Sequence, residues 1–137
     1  EHEAEQLGIR DRFHFAGLVA PPEVPRYIAQ MDMLWHLSLR EGLPRSVVQA
    51  LAGGIPALGF RLDGTPEVIL DGETGYCAAP GDFREIAERA NTLLDDPARA
   101  RDMGRQGREM VRERFDAPRM SATLLAAYYD ILKAKQS

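Results

Sequence analysis

Short apolar segments alternate with longer amphipathic ones along the chain. Residues 33–37 form a continuous apolar run of strand length, and residues 56–60 form a second one. Such uninterrupted runs are typical of strands that are covered on both faces of a sheet. Residues 13–16 and 76–79 predict two further short strands. Because helical segments separate the strands, the pattern predicts an α/β layer of about four mostly parallel strands.

Helices are predicted between these strands and over the whole carboxy-terminal part. Most predicted starts carry a proline at the first helical position, or an Asp or Thr that can accept a hydrogen bond from the first turn. Residues 1–7 already have helical character. The other predicted helices run from Pro21 to about Gln30, from Pro44 to Gly53-Gly54, from Thr65-Pro66 to Leu70, and onward from Asp82, Asp96-Pro97 and Asp116.

The carboxy-terminal helices, residues 82–134, are expected to pack on or beyond a single partial domain that spans residues 1–137. Four strands are fewer than the six of a complete doubly wound domain, so we expect an amino-terminally truncated piece. The last helix is expected to use an apolar stripe for packing rather than as a membrane anchor, because Lys and Arg do not dominate its polar face. The stripe consists of Leu124, Leu125, Tyr128, Ile131 and Leu132.

Composition narrows the class of protein. The chain has 137 residues, 45% hydrophobic and 28% charged, which suits one globular domain. A net charge of −4 argues against a general nucleic-acid binder. The single cysteine, Cys77, is interpreted as a small core residue and permits no internal disulfide, which favours a reducing compartment. No apolar run is long enough to cross a membrane. We therefore expect a cytoplasmic protein, with peripheral membrane association left open.

The segment from Glu41 to Pro56 has the clearest chemical character. It predicts an acidic loop after a strand, followed by a helix that ends at two glycines before the next strand. In a parallel sheet this order places Glu41 and a helix N-terminus together at the carboxyl end, where α/β proteins bind ligands. Gly42 lets a ligand approach the backbone, and the unpaired N–H groups at the helix start favour an anion.

Several side chains have a functional and a purely structural interpretation. Arg45 opposes the helix dipole unless an anion lies between them, and it can equally point into solvent. Gln49, about 12 Å along the helix axis, can hydrogen-bond ligand hydroxyls or lie at the surface. Glu41 can be a surface carboxylate near a favourable helix end. His14 and His36 are interpreted as core or edge histidines rather than bases.

Four motifs in order resemble the carboxy-terminal, donor-binding domain of the group 1 glycosyltransferases, which are retaining, nucleotide-sugar-dependent enzymes of the GT-B fold. The resemblance covers nearly the whole chain and implies a partial Rossmann-like domain. The motifs are Ser38-Leu39-Arg40-Glu41-Gly42-Leu43-Pro44, Ala50-Leu51-Ala52-Gly53-Gly54-Ile55-Pro56, Gly64-Thr65-Pro66-Glu67-Val68-Ile69 and Asp71-Gly72-Glu73-Thr74-Gly75.

The resemblance assigns roles to individual residues. Glu41 would lie by the donor sugar and its leaving phosphate, as the catalytic candidate. A second Glu of the family pattern would hold the ribose hydroxyls, and here that position is Gln49. Asp63 replaces a family glycine, which is expected to restrict the backbone there, and Glu67 is interpreted mainly as a favourable early-helix charge. The donor-binding set implied by the resemblance is Gly42, Leu43, Pro44, Arg45, Gln49, Gly64 and Thr65.

Other elements of the family cannot be matched to this sequence. A basic pair that neutralises the diphosphate and the acceptor-binding amino-terminal domain would both precede Glu1. The family sheet also places two strands between those matching residues 13–15 and 33–37. Within this chain the first strand must therefore stay loose, pair with its successor, or borrow a partner from another chain.

The implied function is transfer of a sugar from a nucleotide sugar to an acceptor hydroxyl with retention. We expect no metal site and no dissociable cofactor; the partners are a nucleotide sugar and an unidentified glycan, lipid or small-molecule acceptor. The isolated chain is expected to be inactive. An epimerase or phosphorylase of the same fold fits the motifs less well. A non-catalytic nucleotide-sugar-binding or scaffolding relative stays open because of Gln49.

Overall fold

Residues 1–135 are described by the computed structural model, so the last two residues of the predicted domain lie outside the described residues. The predicted α/β class is confirmed, because a parallel sheet is flanked by helices and followed by a helical carboxy-terminal part. The strands are β1 (Leu34–His36), β2 (Ala57–Phe60) and β3 (Gly75–Ala78). The helices are α1 (His2–Gln6), α2 (Val24–Ile28), α3 (Arg45–Gly53), α4 (Thr65–Val68), α5 (Phe83–Asp95), α6 (Pro97–Arg114) and α7 (Ala117–Ala134).

The three strands run parallel in the order β1-β2-β3. Trp35 is opposite Leu58, and Leu58 is opposite Tyr76. Because all strands point the same way, the loops that follow β1 and β2 both leave the sheet at its carboxyl end. The segments that the sequence singles out as chemically informative lie at this end.

The prediction of a fourth strand at Phe13–Phe15 is wrong for the described residues. The two phenylalanine rings stack with centroids 5.9 Å apart, and both side chains are more than 40% exposed. Arg10 lies over the ring of Phe15. A strand requires a neighbour to pair its backbone groups, and residues 1–135 form a sheet of only the other three strands. The segment therefore stays loose, one of the three outcomes anticipated.

The expectation that β1 is covered on both faces is also wrong. Trp35 is half exposed, and the rest of β1 is partly buried. β1 is an edge strand that pairs only with β2 among the described residues. β2 and β3, in contrast, are buried at every position. The apolar composition of residues 33–37 thus predicted a strand correctly but not its degree of burial.

Two buried clusters lie on the two faces of the sheet, because successive strand residues point to opposite sides. On one face, Val47 and Leu51 of α3 pack with Ala57 of β2 and with Met110 of α6. On the other face, α5 covers the sheet, and Met103 of α6 joins the same cluster. The members of the second cluster are Leu58, Phe60, Tyr76, Ala78, Ile86, Ala90, Leu93 and Met103.

The predicted caps of α5 and α6 are confirmed. Asp82 accepts a hydrogen bond from the N–H of Glu85 at 2.9 Å, and Asp96 accepts one from the N–H of Arg99 at 3.0 Å. Asp116 occupies the N-cap position of α7, but its side chain makes no capping hydrogen bond.

Other helix starts differ from the prediction by one to three residues. Pro44 is the N-cap of α3, not its first residue, because its ψ of 102° is extended. Gly64 caps α4, so Thr65 is the first helical residue and not the cap, and α4 ends at Val68 rather than Leu70. The segment after Ala20 begins with a 3₁₀ turn at Pro21–Glu23, and α2 ends at Ile28, two residues earlier than predicted.

The apolar stripe of α7 is exposed. Its leucine, isoleucine and tyrosine side chains have 54–57% of their surface accessible. Within residues 1–135, no helix combines the length and the apolar character needed to cross a membrane.

Candidate functional site

Two loops meet at the carboxyl edge of the sheet. One connects β1 to α3 and the other connects β2 to α4. Between them lies an open cleft of about 720 Å³, called here the Glu41 cleft. Its lining carries three carboxylates and one guanidinium, so the cleft is acidic overall. The lining residues are Arg40, Glu41, Gly42, Leu43, Asp63, Gly64 and Glu67.

The two loops touch through their glycines. The N–H of Gly64 donates to the carbonyl of Gly42 at 3.1 Å. A Cβ atom built on Gly64 would overlap that carbonyl oxygen and crowd the Cα of Leu43, whereas a Cβ on Gly42 would meet nothing within 4 Å. Position 64 therefore requires glycine for close backbone approach, and position 42 leaves the backbone open to the cleft.

Asp63 fixes the backbone of Glu41. Its Oδ2 accepts a hydrogen bond from the N–H of Glu41 at 3.0 Å. Its φ of 49° lies in the left-handed region, which aspartate tolerates better than most residues. The sequence drew attention to Asp63 only as a replacement for glycine. Its contact with a residue 22 positions away depends on how the two loops converge.

The Glu41 side chain lies beside His36, the last residue of β1. Glu41 Oε1 is 3.5 Å from His36 Nε2, and the Glu41 side chain is 36% exposed. On the other side of the ring, His36 Nδ1 lies 3.3 Å from Ser46 Oγ in the first turn of α3. Sequence reasoning did not connect His36 with Glu41. The signal that could have done so is its position at the carboxyl end of a parallel strand.

The structure brings only some of the predicted site residues into the Glu41 cleft. Glu41, Gly42, Leu43 and Gly64 line it. Four other predicted residues do not: Pro44 and Thr65 are buried, Arg45 is exposed in the first turn of α3, and Gln49 is exposed in the second turn of the same helix. The roles of all eight residues stay predictions.

Gln49 lines a second, smaller groove of about 260 Å³, called here the Gln49 groove. Its walls are mostly apolar and come from the loop before α2, from α2 itself and from α3. Ser46 also lines it and contacts His36, the neighbour of the Glu41 side chain. The other lining residues are Ala16, Val19, Val24, Tyr27, Ile28, Met31 and Leu34.

Other reactive side chains lie outside the cleft. His14 is exposed on the loose amino-terminal segment. Cys77 is buried in β3, and the loss of hydration there, assisted by the charge of Asp71, raises the pKa of its thiol to about 11. Its interpretation as a core residue is confirmed. Within residues 1–135, no group of three His, Cys, Asp or Glu side chains is arranged to hold a metal ion.

Comparison with known proteins decides the family. The sequence profile described as glycosyl transferases group 1 matches residues 1–110. The chain belongs to the group 1 glycosyltransferases. This glycosyltransferase chain is 36% identical over 129 residues to N-acetyl-α-D-glucosaminyl L-malate synthase of Bacillus anthracis. The match covers 94% of the chain and 33% of that synthase, so the chain spans about a third of the length of the curated relatives it matches.

Solved structures show the same fold. Sucrose-phosphate synthase of Thermosynechococcus elongatus matches with a TM-score of 0.90 and 24% identity, over 97% of this chain and 33% of that one. HepE of Anabaena, solved in complex with UDP-glucose, matches with a TM-score of 0.87 and 24% identity, over 94% of this chain and 35% of its own. At these identities the likeness extends to the fold and no further.

Proposed function

We propose that the protein transfers a sugar from a nucleotide sugar to an acceptor hydroxyl with retention, and that this chain supplies part of the donor site. The observation that carries the proposal is the Glu41 cleft, where a glutamate held at its backbone faces open space beside the start of α3. A similar fold has been solved with UDP-glucose bound. The acceptor-binding amino-terminal domain and, separately, the basic pair for the diphosphate would come from residues outside this chain.

The start of α3 is suited to a diphosphate. The N–H groups of Val47 and Val48 both donate to the carbonyl of Pro44, and Pro44 itself has no N–H. The N–H groups of Arg45 and Ser46 are the ones that the helix does not use. In the proposed reaction they stabilise the charge that builds on the departing diphosphate, and the guanidinium of Arg45 adds to this field.

Glu41 and its neighbours would hold the donor sugar. A carboxylate accepts hydrogen bonds from sugar hydroxyls, and the open backbone at Gly42 and Leu43 offers further polar groups. We propose no general base among these residues, because the leaving diphosphate can itself accept the acceptor proton. We also place the protein in the cytoplasm, since its single buried thiol is suited to a reducing compartment.

Gln49 favours a second candidate function, a nucleotide-sugar-binding protein without transfer activity. An amide can bond ribose hydroxyls but lacks the charge of the family glutamate, which weakens donor binding by about 1–2 kcal/mol. The test is calorimetric titration of UDP, GDP and ADP sugars into the full-length protein, followed by a transfer assay. Turnover supports the transferase, whereas binding without turnover across acceptors supports the second candidate.

A single substitution tests the role of Gln49. Gln49→Glu is expected to tighten donor binding about tenfold, because a carboxylate makes charge-assisted hydrogen bonds to hydroxyls. Gln30→Glu, at an exposed glutamine beyond the end of α2, adds the same charge and is the matched control. Calorimetry on both variants measures the effect. An unchanged dissociation constant for Gln49→Glu would count against contact with the ribose.

A further inference from the structure

His36 lies between Glu41 and the first turn of α3, and the proposed reaction assigns it no role. Its side chain is 14% exposed. Its Nδ1 faces Ser46 Oγ at 3.3 Å. Its Nε2 is inaccessible to solvent and makes no hydrogen bond with any described residue. The carboxylate oxygen Oε1 of Glu41 lies 3.5 Å from this nitrogen.

The chemistry of the three groups indicates one arrangement of the proton on the ring. Because a carboxylate only accepts hydrogen bonds, a bond to Glu41 requires the hydrogen on Nε2. In the neutral ring Nδ1 is then an acceptor, and the Ser46 hydroxyl donates to it. An approach of a few tenths of an ångström by the carboxylate would complete the bond and remove the cost of a buried unpaired nitrogen.

We propose that His36 is a positioning residue, whose Nε2–H orients the Glu41 carboxylate for the donor sugar while Ser46 holds the imidazole. The inference rests on the proposed role of Glu41 in the donor site. Asp63 already fixes the backbone of Glu41, so His36 completes the restraint by limiting its side-chain rotamers. The carboxylate is then oriented before the donor binds, which lowers the cost of reaching the reactive arrangement.

Two substitutions separate the two ring nitrogens. In His36→Gln, the amide nitrogen can occupy the place of Nε2 and still donate to Glu41. In His36→Asn, the shorter amide reaches only to the place of Nδ1, so Glu41 loses its donor. His14→Asn, on the exposed amino-terminal segment, is the matched control for a histidine-to-asparagine change away from the cleft.

The assay is steady-state transfer by the full-length protein, with the donor that gives turnover, and thermal unfolding of each variant is followed in parallel. We expect His36→Asn to lower kcat about tenfold, with a much smaller change in the donor KM. His36→Gln is expected to recover most of that loss, and His14→Asn to match the parent. Equal losses in the Asn and Gln variants, or none in either, would overturn the inference.

Three more measurements keep the inference distinct from the proposed function. If Glu41→Gln leaves donor binding and kcat unchanged, the donor-site proposal itself fails. If Glu41→Gln lowers kcat but His36→Asn does not, only the positioning role fails. When His36 acts through Glu41, adding His36→Asn to Glu41→Gln has no further effect on kcat.

The ¹⁵N shifts of the His36 ring must also show the proton on Nε2; a proton on Nδ1 alone contradicts the inference.

Discussion

Glu41 derives its geometry from one residue close to it in the sequence and one far away. Its backbone N–H is bonded to Asp63 after β2, and its carboxylate faces His36 at the end of β1. The motif around Glu41 was sufficient to select it as a candidate. His36 and Asp63 both lie outside that motif, so the motif alone does not group them with Glu41.

Position 64 gives the sharpest prediction at the residue scale. Gly64→Ala is expected to lower the free energy of unfolding by about 1–3 kcal/mol, because its methyl group would overlap the backbone of Gly42. Gly42→Ala is the matched control: its methyl group meets open space, so stability should change by less than about 0.5 kcal/mol. Urea unfolding measures both. Similar stabilities for the two variants would contradict the close approach of the loops.

The raised pKa of Cys77 predicts that the protein loses stability at alkaline pH. Its pKa rises from 9.0 to about 11 on folding, so the unfolded chain loses this proton first. The contribution of the neutral buried thiol is present below about pH 9 and is lost as the pH rises through about 11. Urea unfolding should therefore show a larger loss of stability between about pH 8 and about pH 10.5 for the parent than for Cys77→Ala. Parallel losses would argue against the raised pKa.

At the scale of elements, the packing of α3 against α6 supports the helix that borders the cleft. Gly104 and Gly107 of α6 face the end of α3 closely, and Arg108 donates to the carbonyl of Gly53 at 2.6 Å. Gly54, with a φ of 82°, ends α3 in the left-handed conformation that glycine adopts without strain. The sequence showed the glycine stop of α3 but gave no reason for two glycines within α6.

Gly104→Ala tests this packing against the ordinary preference of helices. Alanine normally stabilises a helix interior relative to glycine by about 1 kcal/mol. Here its methyl group would overlap the carbonyl oxygen of Gly54, so the free energy of unfolding should instead fall by about 1–3 kcal/mol. Arg112→Ala, at an exposed position of α6, serves as the control and should change little. A stabilised Gly104→Ala protein would refute the contact.

At the scale of the whole molecule, the Glu41 cleft is open to solvent between its two loops. The chain also spans only about a third of the length of the relatives that it matches. Ligand sites usually enclose most of the ligand surface. We therefore expect the proposed donor site to need residues outside this chain for full affinity.

Titration of the same nucleotide sugar into the full-length protein and into the isolated 137-residue chain tests this expectation. The full-length protein should bind at least about tenfold more tightly, because we expect it to supply further contacts and positive charge for the diphosphate. Circular dichroism of the isolated chain, compared with its helical content here, provides the control for folding. Equal affinities from a folded chain would show that these residues contain the complete donor site.

The sequence by itself determined the motifs that resemble the family, the α/β class, the caps of α5 and α6, and the glutamate loop after β1. These features depend on local patterns, because a cap, a glycine stop or an apolar run acts within a few residues of the chain. Only the tertiary structure decided the loose state of Phe13–Phe15, the exposure of Trp35, and the grouping of His36, Ser46 and Asp63 around Glu41. Strand pairing and the contact of Asp63 with Glu41 depend on partners distant in sequence, so no local pattern specifies them. The contacts of His36 and Ser46 depend on how the chain turns between β1 and α3.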